Sequence, residues 1–204
     1  MEHFCDQIKL KIDALPAGSA FVVSDFTGIC DYQTAKRSLA RLCENGSIRR
    51  VLRGVYDKPA YSELLQEEAA PDPNEIATAL ARNFNWNITP SGNTALNLLG
   101  LSTQVPAKWE YGSSGPYRDY TFGNITLEFK HISNKEIEGL SSETALLVQA
   151  LKALGKDNIT NDIISRLKDR TMTMDKDLII QETRYTTSWI FSIIKIICGK
   201  DGSQ

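Results

Sequence analysis

Apolar residues Phe4, Ile8, Ile12 and Leu15 recur at steps of four, four and three, the spacing that lines one face of a helix, and Pro16 with Gly18 stops it. Phe21 to Val23 predict a short strand, and Ser24 can cap a brief second helix holding Phe26 before Gly28 breaks it. Asp31 is a good N-cap for a longer third helix that buries Ala35, Leu39 and Leu42 and ends at Asn45-Gly46. Ser47 to Leu52 then reads as a strand, Arg53-Gly54 as a turn and Val55-Tyr56 as the returning strand, with Pro59 closing the hairpin.

Beyond that hairpin the pattern loosens. Glu67, Glu68 and Asp72 with Pro71 and Pro73 resemble a linker, after which Asn74 caps a helix to about Arg82. Trp86 to Thr89 suggests a strand, Ser91 to Leu99 a helix closed by Gly100, and Trp109 to Ile132 two or three strands with a tight turn at Gly123-Asn124. Leu146, Leu147, Val148, Ala150, Leu151 and Leu154 are apolar nearly all round, which marks a buried helix ended by Gly155. Further helices are expected over 161–169, 175–182 and 187–198. The fold expected is α+β: an N-terminal winged helix-turn-helix over 1–61, a linker over 62–73, and a larger mixed α/β-hairpin and helical domain over 74–200.

A chain of 204 residues with 42% hydrophobic content is long enough for such a pair of domains. Its net charge of −2 hides a local asymmetry. Between Gln33 and Lys58 stand seven cations, Lys36, Arg37, Arg41, Arg49, Arg50, Arg53 and Lys58, against Glu44 and Asp57, a local excess of +5 that leaves −7 on the rest. An acidic body carrying a basic N-terminal patch is the expectation.

With Ala35, Leu39 and Leu42 turned to the core, Gln33, Thr34, Lys36, Arg37 and Arg41 fall on the outer side of the third helix, and Tyr32 stands at its start. Gln and Arg suit bidentate bonds to adenine and guanine edges in the major groove, whereas Thr34 and Lys36 suit phosphate or thymine-methyl contacts. Arg50 and Arg53 flank the tight turn, within reach of phosphates or a narrow minor groove. Scattered surface cations usually do no more than solvate a helix and an edge hairpin. Three helical segments followed by a basic hairpin are a combination of signals, which favours duplex DNA as the partner.

The string Ala35-x3-Leu39-x-Arg41-Leu42-x3-Gly46-x-Ile48-x-Arg50-x2-Arg53-Gly54-x-Tyr56 resembles the winged helix of the AbiEi-type antitoxin regulators of bacterial abortive-infection and toxin-antitoxin operons. The blocks from Pro90-Ser91-Gly92-Asn93-Thr94 to Val105-Pro106 and from Leu147-Val148-Gln149 to Gly155-Lys156-Asp157 are similar to the same group, so the likeness runs over roughly 5–190. It implies a repressor that binds operator inverted repeats upstream of its own operon and counters a nucleotidyltransferase-like toxin through its C-terminal domain. Arg50 and Arg53 sit on the motif, whereas Gln33, Thr34, Lys36 and Arg37 occupy positions that vary with the operator. A plain regulator without antitoxin activity is the milder alternative. One winged module reads few base pairs, so specificity needs two copies, preformed as a dimer or assembled on DNA.

An enzymatic alternative comes from the hairpin at 117–132. A two-residue turn at Gly123-Asn124 sets Phe122 against Ile125, Tyr120 against Leu127 and Asp119 against Glu128, with Thr121, Thr126 and Lys130 on the acids' side. Asp119 with Glu128-x-Lys130 is similar to the carboxylate pair and lysine of restriction-like nucleases, in which the acids hold Mg²⁺ and the lysine orients water. The acids are closely spaced, and opposed like charges are also relieved by a neighbouring Lys130 alone, so no enzyme is expected. His131 falls on the apolar side and is read as a hydrogen-bonded core residue, with Trp109 and Trp189 also in the core. Cys5, Cys30, Cys43 and Cys198 form no Cys-x-x-Cys pair, and with only His3 and His131 beside them no metal site or cofactor is expected. The N-terminus lacks signal-peptide character, and the apolar run Trp189 to Cys198 is too short to cross a bilayer, so a cytoplasmic protein with no membrane contact is expected.

Overall fold

Helix α1, Glu2–Asp13, buries Ile8 and Ile12, the middle of the apolar stripe. This computed structural model describes residues 2–132 and 139–200. Strand β1, Ala20–Val22, leads into a single 3₁₀ turn at Val23–Phe26 in place of the expected second helix; the turn buries Val23 and Phe26. Helix α2, Tyr32–Glu44, begins at Asp31 and ends before Asn45-Gly46, as its cap residues require, with Gly46 at φ +75. Ala35, Ser38, Leu39 and Leu42 are its buried positions. Ala35, Leu39 and Leu42 pack with Ile8, Ile12, Phe21, Phe26, Ile48 and Tyr56 into one apolar cluster.

Strands β2, Arg49–Leu52, and β3, Val55–Asp57, join through Arg53-Gly54 and pair antiparallel, with a register shift between Arg50 and Leu52. β3 lies at the centre of a sheet ordered β1-β3-β2. Opposite Ala20 and Arg49 its last residue, Asp57, is 1% exposed. A carboxylate that deep needs a partner. Arg49 supplies it, with Nε at 3.1 Å and an Nη at 2.6 Å, and the same guanidinium donates to the Ala69 carbonyl at 3.0 Å.

The segment 62–73 is not a plain linker. Strands β4, Tyr61–Ser62, and β5, Glu67–Glu68, form a two-stranded ribbon, and helix α3, Pro73–Phe84, follows at once with Asp72 rather than Asn74 as its cap. The first compact unit runs to Trp86, so the domain boundary expected at 73/74 lies one helix later. The reason is tertiary contact. α3 buries Ile76, Ala77, Leu80 and Ala81, and its Arg82 donates to the Ala20 carbonyl at 3.0 Å and to Asp25 at 3.2 Å. Glu75 accepts from the Ala20 amide at 3.3 Å. These bonds run to β1 and the 3₁₀ turn, which makes α3 a wall of the first unit.

The second unit, Asn87–Gln204, sets a four-stranded sheet beside a helical layer. Strands β6 (Ile88–Pro90), β7 (Lys108–Ser113), β8 (Arg118–Phe122) and β9 (Ile125–His131) stand in the order β6-β7-β9-β8, with β7 and β9 parallel. β8 and β9 keep the expected register, Asp119 opposite Glu128 and Phe122 opposite Ile125. Helices α4 (Gly92–Leu98), α5 (Ser142–Leu154), α6 (Asn161–Arg170), α7 (Lys176–Thr183) and α8 (Ser188–Ile197) complete the unit. α5 is buried on most sides, as its all-round apolar sequence requires, and packs with Ala95, Leu99, Leu167, Ile179, Ile190 and Ile194. Trp109 is buried, and Trp189 packs half-buried against the helical core. Among the described residues no helix is long and apolar enough to cross a membrane.

The Pro90 to Pro106 block has a structural account. α4 lies against β7: the Ser91 amide donates to the Glu110 carbonyl at 2.9 Å, and the Thr94 hydroxyl accepts from the Glu110 amide at 2.7 Å. Gly92, at φ +53, sits where a Cβ would come within 2.9 Å of the Glu110 carboxylate. At the other end of the block Arg166 donates to the Gly100 carbonyl.

Three outcomes test this account. A fragment of residues 1–86 should unfold cooperatively by circular dichroism, whereas 1–61, stripped of α3, should show no cooperative melt. Arg49→Ala, which leaves Asp57 buried without a cation, should lower the stability of the first unit by about 2–4 kcal/mol in a urea titration, at or below the range for fully buried pairs because Arg49 is partly exposed. Gly92→Ala should cost about 1–3 kcal/mol, because the left-handed backbone there disfavours a Cβ.

Candidate nucleic-acid interface

The N-terminus of α2 is organised by Asp31. Its carboxylate accepts from the amides of Gln33 at 3.0 Å and Thr34 at 3.1 Å and from the Thr34 hydroxyl at 2.6 Å. The hydroxyl bond and the two amides hold its carboxyl below the ordinary range. The Thr34 hydroxyl proton is thereby committed to Asp31, and the residue is half-buried.

Tyr32, Gln33, Lys36, Arg37 and Arg41 are all exposed, as the burial of Ala35, Leu39 and Leu42 demands. Across the hairpin turn Arg50 and Arg53 are exposed as well. Arg50 stands opposite Tyr56 and donates to the Leu52 carbonyl at 3.4 Å, beside Cys43 of α2. Burial pushes the Cys43 thiol and the Tyr56 phenol up, and the Arg50 charge partly offsets it in both. Arg50 thus lies close to Cys43 of α2, and the helix and hairpin candidates are alike in being exposed.

Partners decide which cations are available. Arg49 is taken by Asp57 and Glu68, and Lys58 donates to the carbonyls of Asp13 and Leu15 near the end of α1. Among the described residues Lys36, Arg37, Arg41, Arg50 and Arg53 have no acidic partner within 4.0 Å. Five of the seven cations in the basic segment are thus free to meet an anion. A charge sum weighs all seven alike, and nothing local to Arg49 or Lys58 announces the carbonyls of Ala69 or Asp13.

The acidic excess is also placed differently from the expectation. The first unit holds 10 Lys and Arg against 12 Asp and Glu, and the second holds 13 of each. The whole −7 outside the basic segment therefore belongs to the first unit, and the second is balanced rather than acidic.

The carboxylates of the second unit are matched by lysines. Glu110 of β7 stands opposite Glu128 on the side away from Asp119, so three acids cross three strands. Lys108 bonds Glu128 at 2.7 Å, and Lys130 bonds Glu110 at 2.5 Å while standing 3.7 Å from Glu128. The Lys108 hydrogen bond and charge hold the Glu128 carboxyl below its usual range, and the bond to Glu110 raises Lys130, which keeps that ammonium charged. Among the described residues no group of three or more His, Cys, Asp or Glu is placed to hold a metal ion. His131 is not a core residue. It is exposed, and its Nδ1 donates to the Gly115 carbonyl at 3.0 Å, because its strand position lies at the rim where β9 ends. Cys5, Cys30 and Cys43 are half-buried free thiols, and Cys198 is a buried one.

No curated protein matches the chain significantly. Among solved structures, the crystal structure of the RV2827C protein from Mycobacterium tuberculosis is similar at a TM-score of 0.42 and 13% sequence identity, covering 98% of this chain and 78% of that one. A family model matches residues 7–179, and on that match the chain belongs to DUF6088, a family of unknown function.

Proposed function

We propose that the first unit is a winged helix-turn-helix that binds duplex DNA and that the protein is a transcriptional repressor. One observation carries the reading: five exposed cations on α2 and the β2–β3 hairpin have no acidic partner, while Arg49 and Arg82 in the same unit do. The order of elements, helix, strand, turn, helix and hairpin, agrees with it. In this reading α2 enters the major groove, Gln33 and Arg37 read base edges, and Tyr32, Thr34, Lys36 and Arg41 flank them. Arg50 and Arg53 hold phosphates beside the groove and supply position and affinity. The operator is an inverted repeat occupied by two copies. The antitoxin role, against a nucleotidyltransferase-like toxin, rests on the resemblance to the AbiEi-type regulators.

Binding to the DNA upstream of the protein's own reading frame, followed by gel shift at several salt concentrations, tests the repressor. With Lys36, Arg41, Arg50 and Arg53 on phosphates the log-log salt slope per copy should lie at about −3 to −4. Arg37→Ala combined with Arg53→Ala should flatten it by roughly 1, for the phosphate contact of Arg53, and weaken binding at every salt concentration. No binding, or binding that the double substitution leaves intact, overturns the assignment.

The lysine-paired carboxylates give a second expectation. Supercoiled plasmid incubated with the protein and Mg²⁺ should remain intact. Nicking that needs Mg²⁺ and is lost in Glu128→Ala would make the protein a nuclease instead.

A further inference from the structure

We propose that the β4–β5 ribbon is a docking arm for a second protein, one that presents an apolar pocket rimmed by Lys or Arg. Leu64 is 92% exposed, Leu65 64% and Tyr61 60%, which places three large apolar side chains within five residues on the surface. Single exposed apolar residues are ordinary, but a cluster with a polar rim marks an interaction surface.

The arm is built to keep one shape. A free two-stranded ribbon is marginal in water, but this one is rooted at both ends. The Ala69 amide donates to the Ala60 carbonyl at 2.7 Å, and Arg49 holds the Ala69 carbonyl and stands 3.7 Å from Glu68. At the tip Gln66, at φ +56, donates through its side chain to the Glu63 carbonyl at 2.6 Å, and the Ser62 hydroxyl accepts from the Leu65 amide at 3.3 Å. Leucines displayed on a tip already ordered lose little freedom on binding.

Charge selects the occupant. Residues 61–72 contain Glu63, Glu67, Glu68 and Asp72 and no Lys, Arg or His. Among the described residues the carboxylates of Glu63 and Glu67 have no partner. Such a tip repels nucleic acid and anionic lipid, and two copies meeting arm to arm would set acid against acid. A cationic rim around an apolar pocket satisfies both the leucines and the glutamates. The arm also leaves the sheet at the end away from the Arg53-Gly54 turn, because β3 runs from that turn to Asp57 and the arm begins three residues beyond Lys58. A partner seated there leaves the cations of the turn uncovered, and the proposal stands whether or not the protein binds DNA.

The test is selection of a random displayed peptide library on the full chain, followed by anisotropy of the winning peptides. Two variants serve as controls: Leu64→Asp with Leu65→Asp, and Glu63→Lys with Glu67→Lys. All four positions are exposed, so thermal melts should match the wild type. The expected winners carry aliphatic or aromatic residues flanked by Lys or Arg, and they should bind each variant about tenfold or more weakly. Absence of any winner, winners that are acidic or uncharged, or winners that bind the variants equally well would overturn the proposal. Self-association of the wild type in sedimentation velocity that the double leucine variant abolishes would also overturn it, by giving the arm to a second copy.

Discussion

A buried carboxylate without a cation is among the more costly things a small domain can contain, and Asp57 is such a group. Its position forces the solution. It ends the central strand of the first sheet and faces Arg49 at the start of β2, so the pair closes the hairpin at its base. The guanidinium has donors to spare, and it spends one on the Ala69 carbonyl. Through that bond the chain beyond the hairpin is held beside the sheet, which is where α3 must begin if Ile76 and Leu80 are to be buried. One ion pair thus links the hairpin to the ribbon, and the bonds of Arg82 and Glu75 to β1 and the 3₁₀ turn then carry the first unit on to Trp86.

The same accounting explains why net charge is a poor guide here. Arg49, Lys58 and Arg82 are cations in the sequence and structural members in the fold. What remains on α2 and the hairpin is a smaller set whose fields are not cancelled nearby. The acids that offset it in the whole-chain sum lie elsewhere in the same unit, four of them in the twelve residues 61–72. An anionic ligand approaching α2 therefore meets uncompensated charge at short range, and screening makes short range what matters at physiological salt.

Much of the local structure was legible in the sequence. Asp31 and Gly46 bracket α2 because their side-chain and backbone chemistry satisfy helix ends, and Gly123-Asn124 sets the β8–β9 register because a two-residue turn admits few pairings. The outward face of α2 followed from three buried positions. What could not be read was non-local. The parallel pairing of β7 with β9 places Glu110 beside Glu128, residues with no sequence signal for each other. The Pro-rich, acidic run before α3 has the composition of a linker, and bonds such as that of Arg82 to Asp25, 57 residues away, show where the helix belongs. The hydroxyl bond of Thr34 to Asp31 is likewise a detail of geometry that the outward position of the residue does not announce.

That last detail sharpens how α2 would read DNA. Asp31 is an anion at the end of the helix expected to lead into the groove, which would repel phosphates if its charge were free. Two amides and a hydroxyl surround it, and the helix dipole favours it there, so its field is spent on the helix rather than on the ligand. Its cap fixes the backbone of Gln33 and Thr34, the first outward residues of the helix. A side chain that must meet a base edge bidentately gains from a backbone already held in place. The acid at the start of α2 is therefore compatible with the proposed DNA recognition, because it orders the residues next to it.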